Sequence, residues 1–364
     1  MQLLTAEQAR HLDRTMADSF AYPTLLLMEQ ACRGAVQHIL ARYQHTQHFW
    51  VFLGKGNNAG DGLGVARMLA VRGKQVELIF TVSPDALMGD AAVQYRICQK
   101  LGLNATQFTD WDKTALAEKT QAHGQVTVDA LLGTGLKGEV NEPLRSVLEF
   151  WQDYPPAAMA ALDMPSGLEA DTGAVINPAP RADLTVTFQG AKPCHYITPA
   201  RLHCGQVQVV DIGVFPQVME QLLPEAELLV ENTVRPWRRS RETNSHKGSY
   251  GHLLLAGGSR GRSGAVALSA LSAMEVGAGL TTGLIPGSAE PSFHRRTLEQ
   301  MSISSGKNEE AYLHANSLVL VQNSLPHFAA IAVGPGLGQN DVTLGFLQEL
   351  FERAEQPLVL DADA

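Results

Sequence analysis

The sequence predicts an α/β protein of two successive units, the first a mostly parallel sheet covered by helices on both faces. Three observations lead there. Short apolar, strand-forming runs alternate with segments of helical periodicity along the whole chain. Several of these runs empty into polar turns rich in glycine. After Gly213 an acidic stretch and an arginine-rich connector interrupt the alternation, which then starts again. The boundaries read from this pattern are 1–220 for the first unit, 221–240 for a linker and 241–364 for the second.

In order, residues 5–19 form an amphipathic helix, with Thr5 as N-cap, Gln8 completing a capping box, and Ala9, Leu12 and Met16 on one face. Pro23 opens a second helix through Ile39. Residues 49–53 are a strand, 76–80 another and 87–101 a helix. The strand at 126–128 ends in Asp129; a helix around 144–151 precedes the strand 160–162, which ends in Asp163. Strands at 184–188 and 207–210 close the unit, and residues 215–231 read as a helix. In the second unit, 252–256 is a strand, 265–276 a helix rich in small residues, 331–333 a strand, and 357–363 a strand running into Asp361 and Asp363.

The first unit is organised around Val51-Phe52-Leu53-Gly54-Lys55-Gly56-Asn57-Asn58-Ala59-Gly60-Asp61-Gly62. A buried strand, a glycine loop and a helix make an anion site, with free N–H groups and the helix dipole aimed at it. Glycine permits close ligand approach and positive φ. Gly54-Lys55-Gly56 stands at the wrong end for a P-loop, and Gly54, Gly56 and Gly60 are one residue off the dinucleotide fingerprint. A phosphorylated or nucleotide-like ligand is expected, against a purely structural glycine turn.

Ligands of such sheets bind beyond the carboxyl ends of the strands. Three strands deliver polar turns there: Asn57, Asn58 and Asp61; Asp129 with Gly133-Thr134-Gly135-Leu136; and Asp163-Met164-Pro165-Ser166-Gly167. Each residue alone could be a cap or turn residue. Together they offer oxygen ligands suited to a hard cation, and a carboxylate for acid–base work.

Apolar residues make up 45% of the 364 and charged residues 18%, which describes a globular chain with a substantial core. The net charge of −9 argues against non-specific nucleic-acid binding, and the arginines of 235–241 read as a solvated connector. No run reaches the length of a membrane span, no signal peptide is read, and four cysteines without a C-x-x-C pair suit a reducing cytoplasm. Cys194-His195 and His203-Cys204 match no zinc spacing.

The blocks Gly54–Gly62, Val128–Leu136 and Leu162–Leu168 resemble the signature blocks of the NAD(P)H-hydrate epimerase family. Leu26-Leu27-Met28-Glu29-Gln30-Ala31, Phe188-Gln189-Gly190-Ala191-Lys192-Pro193 and Val210-Asp211-Ile212-Gly213 are similar to further parts of it. The likeness covers about residues 1–215 and implies a Rossmann-like three-layer domain. Ala59 stands where the family has glycine, and would crowd the loop if that position needed positive φ; Gln30 stands where asparagine is common. From Ser245 onward the chain resembles the ribokinase-like ADP- or ATP-dependent NAD(P)H-hydrate dehydratases. Ending at Ala364, it is expected to be an incomplete ribokinase-like α/β domain without the family's later glycine–aspartate motif, of poor stability alone, with dehydratase activity belonging to a longer parent.

The resemblance implies a substrate with water added beside the nicotinamide nitrogen, a carbinolamine whose hydroxyl can leave and return on the other face. It implies Asp163 as the catalytic acid–base, and Asn58, Asp129 and Ser166 as potassium ligands. Asn57, Asn58, Ala59, Gly60 and Asp61, with Gly133, Thr134, Gly135, Leu136, Lys137, Gly138 and Glu139, form the implied phosphate and ribose cradle. In the second unit Ala265 and Gly338 correspond to substrate-contacting positions, with ADP or ATP as cofactor. The expected partner is a small nucleotide substrate, with no nucleic acid or membrane, in a homo-oligomer. Two other readings compete: a non-catalytic scaffold domain, weakened by the presence of Asp129 and Asp163, and a small-metabolite kinase.

Overall fold

The computed structural model describes residues 1–136, 138–223, 225–238, 240–307 and 309–364. They form two compact units, Met1–Trp237 and Arg238–Ala364. Lys137 of the expected cradle, and Pro224 and Arg239 of the expected linker, lie outside the described residues. No described helix is long and apolar enough to cross a membrane.

The first unit runs β1 (Gln2–Leu3), α1 (Ala6–Phe20), α2 (Thr24–Arg42), β2 (His48–Leu53), α3 (Asn57–Val71), β3 (Gln75–Phe80), α4 (Gly89–Lys100), β4 (Asn104–Gln107) and α5 (Lys113–Gln121). It continues with β5 (Gln125–Ala130), α6 (Leu144–Asp153), β6 (Met159–Leu162), β7 (Leu184–Phe188), β8 (Gln206–Val210), α7 (Pro216–Met219), β9 (Ala226–Glu227) and α8 (Glu231–Val234). Seven strands form one sheet in the order β4-β3-β2-β5-β6-β7-β8, every pair parallel. The chain moves outward from β2 to β4, returns to β5 and moves outward the other way. The reversal lies between β2 and β5.

β2 shows why the strands are apolar throughout. Side chains alternate across a strand. Phe49, Val51 and Leu53 enter a core made with α1 to α4, through Leu12, Leu27, Ile39, Leu63 and Ala91. Trp50 and Phe52 enter the opposite core, with Leu116 of α5 and Val147 and Trp151 of α6. Both faces are buried, so hydrophobicity is continuous rather than alternating.

The capping box at Thr5 is formed: Thr5 Oγ1 accepts from Gln8 N at 3.2 Å, and Gln8 Oε1 accepts from Thr5 N at 3.1 Å. Residues 215–231 are not the single helix expected. Among the described residues there, only Pro216–Met219 and Glu231–Val234 are α-helical, because the start of the chain takes the backbone between them. β9 pairs antiparallel with β1, Gln8 Nε2 donates to Leu223 O at 2.8 Å, and the amino terminus donates to Leu228 O at 2.8 Å.

The glycine loop also differs from expectation. The helix begins at Asn57, with Gly56 as N-cap, so residues 57–62 are already α3. Gly54, Gly56, Gly60, Gly62 and Ala59 all have negative φ, and Ala59 is fully buried without strain. The glycines serve close packing instead. A Cβ on Gly62 would lie 2.5 Å from Ala130 Cβ and 2.8 Å from Leu53 Cδ2. Gly62→Ala is therefore expected to destabilise the unit by about 1–3 kcal/mol through overpacking, although alanine is favoured in helices by about 1 kcal/mol. Urea denaturation checks this; an unchanged or raised midpoint would contradict it.

The second unit contains β10 (His252–Ala256), α9 (Ser263–Val276), β11 (Leu280–Pro286), α10 (Glu290–His294), β12 (Met301–Ser305), β13 (Ala330–Val333), α11 (Asp341–Arg353) and β14 (Leu358–Leu360). Its five-stranded parallel sheet has the order β12-β11-β10-β13-β14. Leu254 and Ala256 of β10 pack with Phe346 of α11, whereas Leu255 packs with Val266 and Ala270 of α9.

Candidate functional site

The carboxyl ends of β2, β5, β6 and β7 open onto a cleft of about 830 Å³ in the first unit. It sits where the strand order reverses, the place such sheets reserve for ligands. Its walls include Asn57, Asn58 and Asp61 of α3, the loop 131–136 after β5, and Asp163 after β6. α1 contributes Asp13 and Arg10, and Lys192 follows β7. The start of α3 directs its free N–H groups and positive dipole end toward this end of the sheet.

Asp129 and Ser166 meet behind the cleft. Asp129, fully buried, accepts from Ser166 N at 2.8 Å, Ser166 Oγ at 2.7 Å and Leu131 N at 3.2 Å. Ser166 Oγ also accepts from Leu132 N at 3.0 Å, so the turns after β5 and β6 are clamped together. Burial pushes the Asp129 carboxyl up to about 6, against the pull of the Ser166 and Leu131 hydrogen bonds.

Asp163 is the centre of the polar network. Its φ is +63°, rare for a residue with a side chain, and Gln189, also on the cleft, has φ +60°. Such conformations cost on the order of 1–3 kcal/mol and concentrate at functional sites. Lys192 Nζ donates to Asp163 Oδ1 at 2.5 Å, to Thr187 Oγ1 at 2.7 Å and to Phe188 O at 3.3 Å. Thr187 Oγ1 donates to Asp163 Oδ1 at 3.1 Å, and Thr134 N donates to Oδ2 at 3.3 Å. Burial alone would raise the Asp163 carboxyl, but the Lys192 ammonium, with smaller help from the Thr187 hydroxyl, holds it below its ordinary value. Asp163 is therefore an ionised carboxylate.

His195 fixes the backbone of this network. Its Nδ1 accepts from Lys192 N at 3.0 Å, which leaves the proton on Nε2 to donate to Asp163 O at 2.9 Å. Burial and the nearby Lys192 push the imidazole down to about 4, so it stays neutral, as both hydrogen bonds require.

Two more carboxyls face the same space. Burial pushes Asp13 up to about 6, with Lys192 opposing and Asp163 reinforcing the shift. Burial raises Asp61 well above the ordinary carboxylate range, and Asp163 and Asp13 add to the effect. The Asn58 amide is buried with both polar atoms unpartnered among the described residues. A Cβ on Gly133 would lie 3.0 Å from Asp163 Oδ2 and 3.6 Å from Asn58 Cγ, so the absence of a side chain there leaves both groups open.

The sequence-derived residues divide accordingly. Asn57, Asn58, Asp61, Gly133, Thr134, Gly135, Leu136 and Asp163 line the cleft. Ala59 and Gly60 do not: both are buried, and a Cβ on Gly60 would meet Met28 and Ala91. Gly138 and Glu139 are exposed and off the cleft walls, and Gly138 O accepts from Asn177 Nδ2 at 3.3 Å. In the second unit, Ala265 and Gly338 border one turn, at 334–338. A Cβ on Gly336 would lie 3.3 Å from Ala265 Cβ, and Gly338 N donates to Asp363 Oδ2 at 2.9 Å.

Lys192, Thr187 and Asp13 are not marked as functional by the sequence, and His195 is weighed there only with Cys194 as a zinc pair, not as the residue that fixes Asp163. Lys192 lies in the Phe188–Pro193 block, and a lysine just after an apolar strand is the signal that could mark it. Asp13 has the spacing of an ordinary helix surface residue.

Comparison with known proteins places each unit in a family. Residues 24–194 match the family model described as YjeF-related protein N-terminus, and residues 253–364 match that of NAD(P)H-hydrate dehydratase. The chain is 33% identical to the bifunctional NAD(P)H-hydrate repair enzyme Nnr of Moorella thermoacetica over 367 residues, covering 100% of this chain and 69% of that protein. It is 34% identical to the enzyme of the same name from Salinibacter ruber, covering 99% and 69%. Among solved structures, yeast YNL200c shares the fold at a TM-score of 0.52 and 18% identity, over 62% of this chain and 96% of that one. The chain belongs to the family of bifunctional NAD(P)H-hydrate repair enzymes.

Proposed function

We propose that the first unit interconverts the two epimers of the hydrated nicotinamide nucleotides, and that the second serves their ADP- or ATP-dependent dehydration. One observation carries the first assignment: an ionised carboxylate, Asp163, held by a buried lysine in a nucleotide-sized cleft beside a helix N-terminus. The hydrate carries its hydroxyl on a carbon bonded to the ring nitrogen. The nitrogen lone pair expels the hydroxyl, and water returns on either face. Asp163 receives a proton from the entering water, and Lys192 steadies the carboxylate between turnovers. The amides at the start of α3 bind the anionic part of the nucleotide.

Asn58, Asp129 and Ser166 would hold a potassium ion. The unpartnered Asn58 amide oxygen supports this, since a buried polar atom calls for a ligand, and the Asp129–Ser166 pair adds hard oxygen donors. Bound there, the ion supplies positive charge that favours an anionic substrate. In the second unit, Ala265, which lies against the 334–338 turn, and Gly338 at the end of that turn are the proposed substrate contacts.

The test starts from each separated epimer of the NADPH hydrate, incubated with the protein and followed by chromatography. The expected result is approach to one mixture from both sides, faster than in buffer. Adding ADP separates the second activity, which would regenerate NADPH from one epimer. Interconversion no faster than in buffer would remove the epimerase assignment.

A further inference from the structure

Inversion at the carbinolamine carbon requires a hydroxyl to leave one face and a water to arrive on the other. One carboxylate on one wall reaches one face. We infer that Asp61 is the second catalytic group, the acid that protonates the departing hydroxyl, while Asp163 takes the proton of the entering water. This rests on the epimerase reading above and divides its chemistry between two residues.

The two carboxyls are on separate walls, Asp61 on α3 and Asp163 in the turn after β6. Their surroundings differ as an acid and a base require. Asp163 accepts from Lys192 Nζ, Thr187 Oγ1 and Thr134 N. The Asp61 carboxyl accepts no hydrogen bond from any described residue, although the residue is half-buried on the cleft. It faces Asp13 from α1, Asp163 and Lys192 from the sheet edge, and the thiol of Cys32 from α2. Lys192 is committed to Asp163, and Arg10 and Arg14 of α1 pair with Glu7. Lys55 also lines the cleft, but among the described residues neither Asp13 nor Asp61 is in an ion pair. Like charges in a partly desolvated site retain a proton between them. Burial raises both carboxyls, and Asp61, on the cleft with Asn57 and Asn58 of α3, has no hydrogen-bond donor among the described residues to favour its ionised form.

The step balances. The nitrogen lone pair forms the C=N bond as the C–O bond breaks. The C–O electron pair goes to oxygen, which takes the Asp61 proton and leaves as water. A water beside Asp163 then forms the new C–O bond, the C=N π electrons return to nitrogen, and the proton of the entering water passes to Asp163. One turnover moves one proton from Asp61 to Asp163; exchange with solvent restores both, and the reverse reaction runs the same steps backwards.

The pH–rate profile of epimerisation, corrected for the buffer reaction, tests this in wild-type protein, Asp61→Asn and Asp13→Asn. NADPH fluorescence reports binding independently. An acid must be protonated to act, so the wild-type rate is expected to fall with rising pH along a limb above the ordinary carboxylate range. Asp61→Asn is expected to lose about 100-fold or more in kcat and to lose that limb, with NADPH affinity within about threefold. Asp13→Asn removes a negative neighbour and is expected to move the limb to lower pH. A wild-type profile flat from about pH 5 to about pH 9 overturns the assignment even if Asp61→Asn fails to fold. So does an Asp61→Asn enzyme with normal rate and an intact limb. No acceleration by wild-type protein removes the epimerase reading and this assignment together; acceleration with an unaffected Asp61→Asn removes this assignment alone.

Discussion

Replacing Lys192 with methionine is expected to cost about 3–5 kcal/mol of stability at neutral pH, the usual penalty for stripping one partner from a buried ion pair. Lys192 is 2% exposed and Asp163 13%, so the carboxylate left behind is shielded from compensating solvent. Thr187 and Phe188 O lose a donor as well. The pH dependence identifies the cause. Without the ammonium, burial would raise the Asp163 carboxyl, and a raised carboxyl stabilises the fold at low pH and loses that contribution as pH rises through its folded value. The deficit should therefore be large at neutral pH and shrink below about pH 4, where the carboxyl is protonated in both states. The double variant Lys192→Met, Asp163→Asn should recover part of the loss, because neither charge remains. Urea denaturation of the single and double variants at two pH values measures this. Equal deficits at both pH values would mean that packing, rather than charge, sets the cost.

The site shows where sequence reasoning reaches and where it stops. The tips of β2, β5 and β6 were legible because an apolar run ending in Asn, Asp or Ser signals a strand leaving the core. The order of those strands was not legible from periodicity. It is set by long-range parallel pairing, β2 with both β3 and β5, to which no local pattern points. Lys192 acquires its role only through folding. It lies 29 residues from Asp163, and nothing near it in the chain says that its ammonium turns inward. Asp13 is similar, one polar residue of an amphipathic helix until α1 lies beside the cleft.

The misreadings have equally definite causes. Glycines at 54–62 suggested a loop with positive φ, but close packing against Ala130, Leu53 and Met28 is served by the same residue type in a helix. Edge strands such as β4, with sequence Asn-Ala-Thr-Gln, carry too little apolar pattern to be seen. Residues 215–231 have helical composition, yet long-range hydrogen bonds to the first eight residues outweigh that weak preference.

Asp163→Asn is the sharpest test of the chemistry, because asparagine keeps the shape and removes the charge. Asparagine also tolerates the left-handed backbone that this position requires, whereas alanine would add strain to the loss of function. The His195 bond goes to the backbone oxygen of residue 163 and survives the change, as does the path of the chain into the Ser166 turn. Epimerisation is expected to fall by about 10²–10⁴-fold, the range for removal of a positioned acid–base group, with nucleotide binding changed far less. Stability should fall at neutral pH, where the variant leaves the buried Lys192 ammonium unpaired, and the deficit should shrink on the acid side. A carboxyl held low in the fold contributes above its unfolded value of about 4 and loses that contribution as pH falls through its folded value. The variant should therefore lack the part of the wild-type acid-denaturation slope that Asp163 supplies. Loss of rate together with a preserved acid slope would separate the two roles, leaving Asp163 catalytic but some other carboxyl paired with Lys192. A preserved rate would move the proton-accepting function away from Asp163, leaving the ion pair to hold the turn between β6 and the cleft.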